Sequence, residues 1–393
     1  MKPTASVIAE LFRHAARSPS PHNTQPWVPR FEPAATDSPA KVHLHVDPAR
    51  TLPIGDPNSE DLHLAMGCWV ESFTIAAAEV GLTVDIESVR GRGPALEIRL
   101  TISEADRAEE GRGGEADSVA GGRAGGDDAV PSAGHSTRNS GWPSFTSSDL
   151  HHRQVDRGPM VRDQESFEAA FTAANHALAD SGARLVEVPD PLWEWASTRS
   201  ARQSFARPAI AKETLEWLRF DSRDPRYGED GLSKDCLRIS GPAARLAARL
   251  NTDALRPWIG RLTSAVVGSL ELIDDLRDAK PKSSVVVGIP APSQLNHVIL
   301  AKDGDRSPRG PSIENDIELG RSLLRIWLLL DRAGLRVDVH SEIKDHPTTR
   351  SEISDALLSE FVPRAVPVAA FSAGRSTDAV PRSHRLSVEG MPS

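Results

Sequence analysis

The sequence predicts an α+β protein assembled from two tandem half-units, and three features carry that prediction. Strongly apolar helical stretches occupy 60–80 in the front of the chain and 314–333 in the back. A helix counted from Gly67 ends at Gly81 and runs into Leu82 and Val84; one counted from Gly320 ends at Gly334 and runs into Leu335 and Val337, so both glycine pairs lie 14 residues apart. Between them, from about Ser103 to Asp149, Gly, Ala, Ser, Asp and Glu dominate and large apolar residues nearly vanish. A repeated unit on either side of such a segment reads as two diverged copies in one chain.

The 393 residues allow one to three domains at roughly 150 residues each. Hydrophobic residues make up 39% and charged residues 26%, the balance of an ordinary folded protein. Lys plus Arg total 46 against 55 Asp plus Glu, a net charge of −9. That argues against nucleic-acid partners, because phosphate contacts need a basic face. No apolar run reaches the roughly 18 residues of a membrane helix. Met1-Lys2-Pro3-Thr4 leads into an amphipathic stretch and not into an apolar signal core. A cytoplasmic protein without membrane contact is the expectation. Two cysteines, Cys68 and Cys236, leave no disulfide scaffold and no cysteine zinc site. His151 and His152 are adjacent and face different ways, and no H-x-x-x-H or carboxylate–histidine spacing appears, so no metal is expected.

Along the front half, Ala5 to Arg17 carries Val7, Ile8, Leu11 and Phe12 at helical spacing. Three prolines and Asn23 exclude a regular element from Arg17 to Trp27. Val42 to Val46 alternates like a half-buried strand, and Thr83 to Ile86 and Leu96 to Leu100 are further strands. Residues 103–150 read as a disordered linker or exposed loop, which sets the halves at 1–102 and 151–393. In the back half, helical patterns run over 163–181 and 190–220, and a Gly/Pro-punctuated helical region over 221–283. Val285 to Ile289 and Arg336 to Val339 read as strands, and a polar, basic tail starts near Arg375. Gly81 and Gly334 suit left-handed helix caps. Gly67 and Gly320 suit either close helix packing or the approach of a planar ligand.

The most informative stretch is Ser18-Pro19-Ser20-Pro21-His22-Asn23-Thr24-Gln25-Pro26-Trp27. Its prolines hold backbone N–H and C=O groups in place beforehand, which lowers the ordering cost of binding. Ser20 and Asn23 can present short polar groups to the edge of a planar heterocycle. Gln25 can do likewise or brace the loop, and Trp27 plugs the core. A proline-rich connector is the competing reading. Arg153-Gln154-Val155-Asp156-Arg157 opens the back half, with Arg153 and Arg157 on one face if helical. Arg382 and Arg385 stand in the tail. Guanidinium groups pair bidentately with phosphate, although any one of these arginines taken alone reads as a solvated surface residue.

The Ser18 to Trp27 segment resembles the S-P-S-x-x-N-x-Q-P-W loop of the FMN-dependent nitroreductase family. Arg153 to Arg157 is similar to that family's R-[RH]-[ST]-x-[RK] phosphate motif, with Val155 in place of the hydroxyl residue, and Pro381 to Arg385 resembles its C-terminal basic motif. The helices counted from Gly67 and Gly320 resemble its central dimer helix. Members of the family are usually homodimers with FMN at the interface, one subunit holding the phosphate and its partner supplying the loop. Here the loop lies in front and both basic motifs lie behind. That order resembles the fused, Acg-type actinobacterial members, which carry a segment covering the flavin.

The resemblance implies a nitroreductase-like fold in which two half-units form an intramolecular pseudo-dimer around central helices, with a lid-like insertion at about 221–312. It implies an FMN site drawn from Ser18, Pro19, Ser20, Asn23, Gln25, Arg153, Gln154, Arg157, Ser341, Glu342, Arg382 and Arg385. Activity would be hydride transfer between NAD(P)H or an organic substrate and a small-molecule acceptor, in a monomeric chain. No protein acid is indispensable in that family, so no catalytic residue is assigned. The rival expectations are a flavin-sequestering or redox-sensing protein with little turnover, and an FMN-dependent dehydrogenase of a biosynthetic heterocycle or peptide. A non-flavin scaffold that has lost the site is a third.

Overall fold

The computed structural model describes residues 3–35, 38–105, 141–259, 261–262, 295–303, 312–358 and 365–387. Most of the expected linker, the strand expected at 285–289 and part of the expected lid lie outside the described residues. The chain is α+β, with two antiparallel sheets flanking a pair of long central helices.

The first sheet contains β1 (Trp27–Glu32), β2 (Ala40–Val46), β3 (Leu82–Arg90) and β4 (Glu97–Glu104), ordered β1-β2-β4-β3. Strict alternation in β2 puts Val42 and Leu44 in the core and His43 and His45 on the opposite face. Helices α1 (Ala5–Ala15) and α2 (Glu60–Glu79) cover the apolar face. Thr4 caps α1 by accepting from Val7 N, and Leu11 and Phe12 pack against Trp69 and Phe73 of α2, whose rings stack at 5.3 Å.

The back of the chain continues through α3 (Ser147–His152), β5 (Met160–Val161), α4 (Gln164–Leu178) and β6 (Ala183–Glu187). Next come α5 (Asp190–Phe205), α6 (Pro208–Glu216), β7 (Leu218–Arg219), β8 (Leu232–Ser233) and α7 (Gly241–Leu250). It then runs through β9 (Asn296–Lys302), α8 (Ile313–Arg332), β10 (Arg336–Val339), α9 (Ser341–Asp345), α10 (Pro347–Ile353) and β11 (Val366–Ser376). The second sheet is ordered β10-β11-β9-β6, with β5 added along β11. One face packs on α4 and α8, and the other on α5, α9 and α10.

Several expectations are corrected here. Pro208 breaks the stretch expected as one helix over 190–220, because its ring cannot continue a helix. Residues 296–302, expected within the lid, form an inner strand of the second sheet. β11 continues past Arg375, where a polar tail was expected. Arg153 to Arg157 is extended and not helical: Arg153 has ψ 129°, and Asp156 N donates to Val337 O at 3.0 Å. Alternation along an extended segment still puts Arg153 and Arg157 on one side.

Helices α2 and α8 each span 20 residues and cross at the glycines. Gly67 and Gly320 lie inside these helices, not at their starts. A Cβ on Gly67 would lie 2.9 Å from Gly320 Cα and closer still to the Ile317 carbonyl oxygen, and a Cβ on Gly320 would meet the Leu64 carbonyl reciprocally. Close helix packing is therefore what these glycines serve. Gly81 (φ +72°) and Gly334 (φ +79°) take the left-handed cap conformation expected of them. Each central helix also reaches into the other side's core: Leu64 joins the cluster beneath the second sheet, and Ile313 and Ile317 join that of the first. Glu71 of α2 binds the crossing from its buried side. It accepts from Arg321 Nε at 2.9 Å and Arg325 Nε at 2.7 Å, and this pairing holds its carboxyl below the usual range despite burial.

Candidate functional site

A cleft of about 490 Å³ opens where the central helices meet the early loop and the later arginines. Its wall includes Arg17, Pro19, Ser20, Pro21, His22 and Asn23 from the front, and Arg153, Gln154, Arg157, Ser341, Glu342 and Arg385 from the back. Leu64 and Cys68 of α2 and Leu323 and Trp327 of α8 form its floor. Gln203, Arg207, Ile210 and Glu213 of the α5–α6 region cover it.

The loop owes its shape to backbone that few residues adopt. His22, Asn23 and Gln25 have φ of 48°, 56° and 54°, a region sparsely populated without glycine. Side chains hold it there. Asn23 Nδ2 donates to Gly231 O at 3.1 Å and His384 O at 3.0 Å, while Asn23 Oδ1 accepts from Arg385 at 2.9 Å. Gln25 is wholly buried, donating to Glu229 O and accepting from Leu386 N, so it braces the loop. Ser20 Oγ accepts from Gln25 N at 3.0 Å.

Nine of the twelve expected site residues line the cleft, and Ser18, Gln25 and Arg382 do not. Ser18 is buried, bonded to Cys68 O and Ser72 Oγ. Arg382 is exposed, although its charge is felt at Arg17. Asn23 lines the wall but spends its polar atoms on holding the two parts of the chain together. Arg385 does the same, donating to the carbonyls of Ala16, Arg17 and Ser18. Trp27 plugs the core at 1% exposure.

Sequence reasoning missed Arg17, His22, Asp56, Cys68 and Trp327. Arg17 changes the electrostatics most. With Arg153 and Arg385 it forms a group of guanidinium ions, none of them ion-paired to a carboxylate among the described residues. The Nε atoms of Arg17 and Arg153 are buried and unpartnered. Burial, then the nearby Arg153 and Arg382, brings Arg17 down to about 10. Burial also brings Arg153 down to about 10, and burial followed by Arg17 and Arg153 pulls Arg385 well below the usual arginine range. Unpaired cations held close in a low-dielectric wall are costly, and a bound anion offsets that cost. His22 adds no charge, since burial and then Arg157 bring it to about 4. Cys68, pushed up to about 12 by burial, stays a thiol and is no nucleophile.

The lining also carries Asp56, Asp61, Glu342 and Asp345, of which Asp61 and Asp345 pair with the buried Lys344. Burial, followed by the Asp61 carboxylate, pushes Asp56 up to about 6. Its folded pKa thus exceeds the unfolded value, so the stability it contributes is present at low pH and is lost as pH rises through about 6. Asp56→Asn keeps an acceptor for Leu62 N, which lies 2.9 Å from the carboxylate. The variant should gain on the order of 1 kcal/mol over the parent at pH 8 and nothing by pH 4. Thermal melts across that range check it, and a gain independent of pH would refute the assignment.

No family model matches the chain. Over 117 residues it is 32% identical to proteins named "Putative NAD(P)H nitroreductase acg" from two Mycobacterium tuberculosis strains, CDC 1551 / Oshkosh and ATCC 25618 / H37Rv. The match takes in 30% of this chain and spans about a third (34%) of the length of those relatives.

Proposed function

We propose that the cleft binds FMN through its phosphate at the arginine wall, and that the chain is a nitroreductase-like oxidoreductase whose two half-units form an intramolecular pseudo-dimer. The observation that carries this reading is the group of Arg17, Arg153 and Arg385, without carboxylate partners among the described residues and with two buried Nε atoms unpaired. The residues fit the ligand: a phosphate can pair with the guanidinium groups whose Nε atoms are buried and unpartnered, and the cleft volume falls in the roughly 300–1,000 Å³ range of small-molecule sites. The likeness to the nitroreductases named above and the reciprocal Gly67–Gly320 crossing support the family and the pseudo-dimer.

Arg17 and Arg153 would hold the phosphate, with Arg157 beside them and Arg385 fixing the loop. The Pro19–Asn23 wall and Trp327 would border the ring system. When bound, FMN supplies a ring that accepts and returns a hydride. The protein's share is positioning, exclusion of water by α5 and α6, and a carboxyl at Asp56 that holds its proton near pH 6. NAD(P)H is the proposed donor and a small organic molecule the acceptor, in a cytoplasmic monomer. Purified protein should be yellow, with one FMN per chain. A colourless protein whose Tm does not respond to added FMN would end the proposal.

One observation favours the second reading, flavin sequestration with little turnover. Glu213 of α6 accepts from Ile54 N at 2.9 Å and Gly55 N at 2.7 Å, clasping the cover to the front half. Stopped-flow reduction by NADPH separates the two: rapid bleaching marks the enzyme, and none marks storage.

A further inference from the structure

Away from the cleft, the sheet register builds a group that spacing along the chain does not show. Alternation in β2 sends His43 and His45 to the same outer face, and the β2–β4 pairing places Glu97 directly opposite His45. One donor atom from each of the three lies within 4.8 Å of the other two. We propose that His43, His45 and Glu97 form a binding site for a divalent transition cation of the zinc class.

The hydrogen bonding around His43 carries the argument. Its Nε2 lies 2.8 Å from Glu32 Oε2 on β1, and its Nδ1 faces Glu97 Oε1 at 3.6 Å. A ring that donates Nε2–H to Glu32 turns the lone pair of Nδ1 toward Glu97. That oxygen already accepts from Arg99 Nε, so a cation held by Nδ1 would share Glu97 with the guanidinium. A carboxylate holding the far nitrogen of a metal-bound imidazole is also the usual outer-shell arrangement around such ions. The imidazole of His45 has no hydrogen bond among the described residues, and one of its ring nitrogens lies within the 4.8 Å group. The two rings lie nearly parallel, 11° apart at 6.5 Å between centroids.

Two imidazoles and one carboxylate suit zinc and its neighbours, whereas magnesium and calcium prefer all-oxygen shells. Tetrahedral ligands about 2.0–2.1 Å from zinc stand about 3.4 Å apart. The donors here need only small side-chain rotations to close on an ion, and all three residues are 22–26% or otherwise partly exposed. Arg30 and Arg99 also border the group. Arg99 Nε donates to Glu97 Oε1 at 2.8 Å, which steadies the carboxylate, while its positive charge opposes cation binding.

Isothermal titration of the full chain with zinc chloride alone, at pH 7.5, tests the proposal. We expect one ion per chain with a micromolar Kd, and cobalt substituted for zinc should give the intense visible bands of tetrahedral coordination. His45→Ala and Glu97→Gln should each abolish stoichiometric binding, with circular dichroism reporting that the sheet is intact. Glu32→Gln should weaken binding about 10- to 100-fold. His151→Ala, which removes the separate His14–His151 contact of 3.0 Å, should leave the Kd unchanged. Zinc binding no tighter than millimolar, or binding indifferent to His43→Ala and His45→Ala, overturns the site. None of these readouts depends on flavin.

Discussion

An Arg17→Met, Arg153→Met double variant should lose FMN affinity by about 10²- to 10⁴-fold while the fold without FMN becomes no weaker. Each charge-assisted hydrogen bond to a phosphate contributes roughly 1.5–3 kcal/mol, so two contribute about 3–6 kcal/mol, at about 1.4 kcal/mol per factor of ten. Stability should move differently because the apo wall is under electrostatic load. Among the described residues no carboxylate pairs with either guanidinium; burial holds both down to about 10, with Arg153 adding to the effect at Arg17 and Arg336 at Arg153. Methionine keeps most of the aliphatic stem and the contact with Trp327, over whose ring the Arg153 guanidinium lies at 5.9 Å. One hydrogen bond is lost, from Arg153 to Arg17 O at 2.9 Å, worth about 1 kcal/mol. Relief of the unpaired charges offsets it. A structural arginine pair would show the opposite pattern, with stability falling and FMN affinity following it down. Titration of FMN into both proteins, beside urea denaturation without it, separates the cases. Retained affinity would refute the phosphate assignment.

The distinction between binding and bracing was only partly legible in the sequence. Proline spacing marked the loop, and its junction with the later arginines was what the resemblance to the nitroreductase family implied. Which side chains face the cleft did not follow. Ser18, Gln25 and Asn23 are polar residues of one loop, yet two are turned inward and the third ties Gly231 to His384, partners 208 and 361 residues away. Arg17 was passed over because it adjoins the motif and lies outside it. Among the elements, α1, α2, α8, β2 and β10 were readable because their burial is periodic or their apolar content dominates. β1 was not, since Pro29 reads as a breaker; on an edge strand a missing N–H costs little. β9 and β11 are covered on both faces, so they lack the alternation that betrays a strand. The His43–His45–Glu97 group needs β4 to lie beside β2, and only the folded register supplies that.

Gly67→Ala should destabilise the protein by about 3 kcal/mol or more, against the sign that helix propensity gives. In an exposed helix interior, alanine is better than glycine by about 1 kcal/mol, and Gly67 sits well inside α2. The added methyl has nowhere to go. It would lie 2.9 Å from Gly320 Cα and nearer to the Ile317 carbonyl oxygen, both backbone atoms of a helix that cannot rotate away as a side chain does. Relief requires α2 and α8 to separate, and the separation is resisted by Glu71 with Arg321 and Arg325, by Leu64 in one core and by Ile317 in the other. Overpacking of a tight interior typically costs 1–3 kcal/mol and more where backbone must move. Gly81→Ala provides the scale: its φ of +72° is strained for alanine, but nothing lies within 4 Å of the new methyl, so about 1–2 kcal/mol is expected. Gly320→Ala should match Gly67→Ala, and the double variant should cost less than the sum, because both methyls contest one crossing. The cleft floor is made of these two helices, so FMN affinity should fall with them. Urea midpoints for the four variants decide the matter. If Gly67→Ala is neutral or stabilising, the close crossing is wrong, and with it the packing that aligns the two halves of the site.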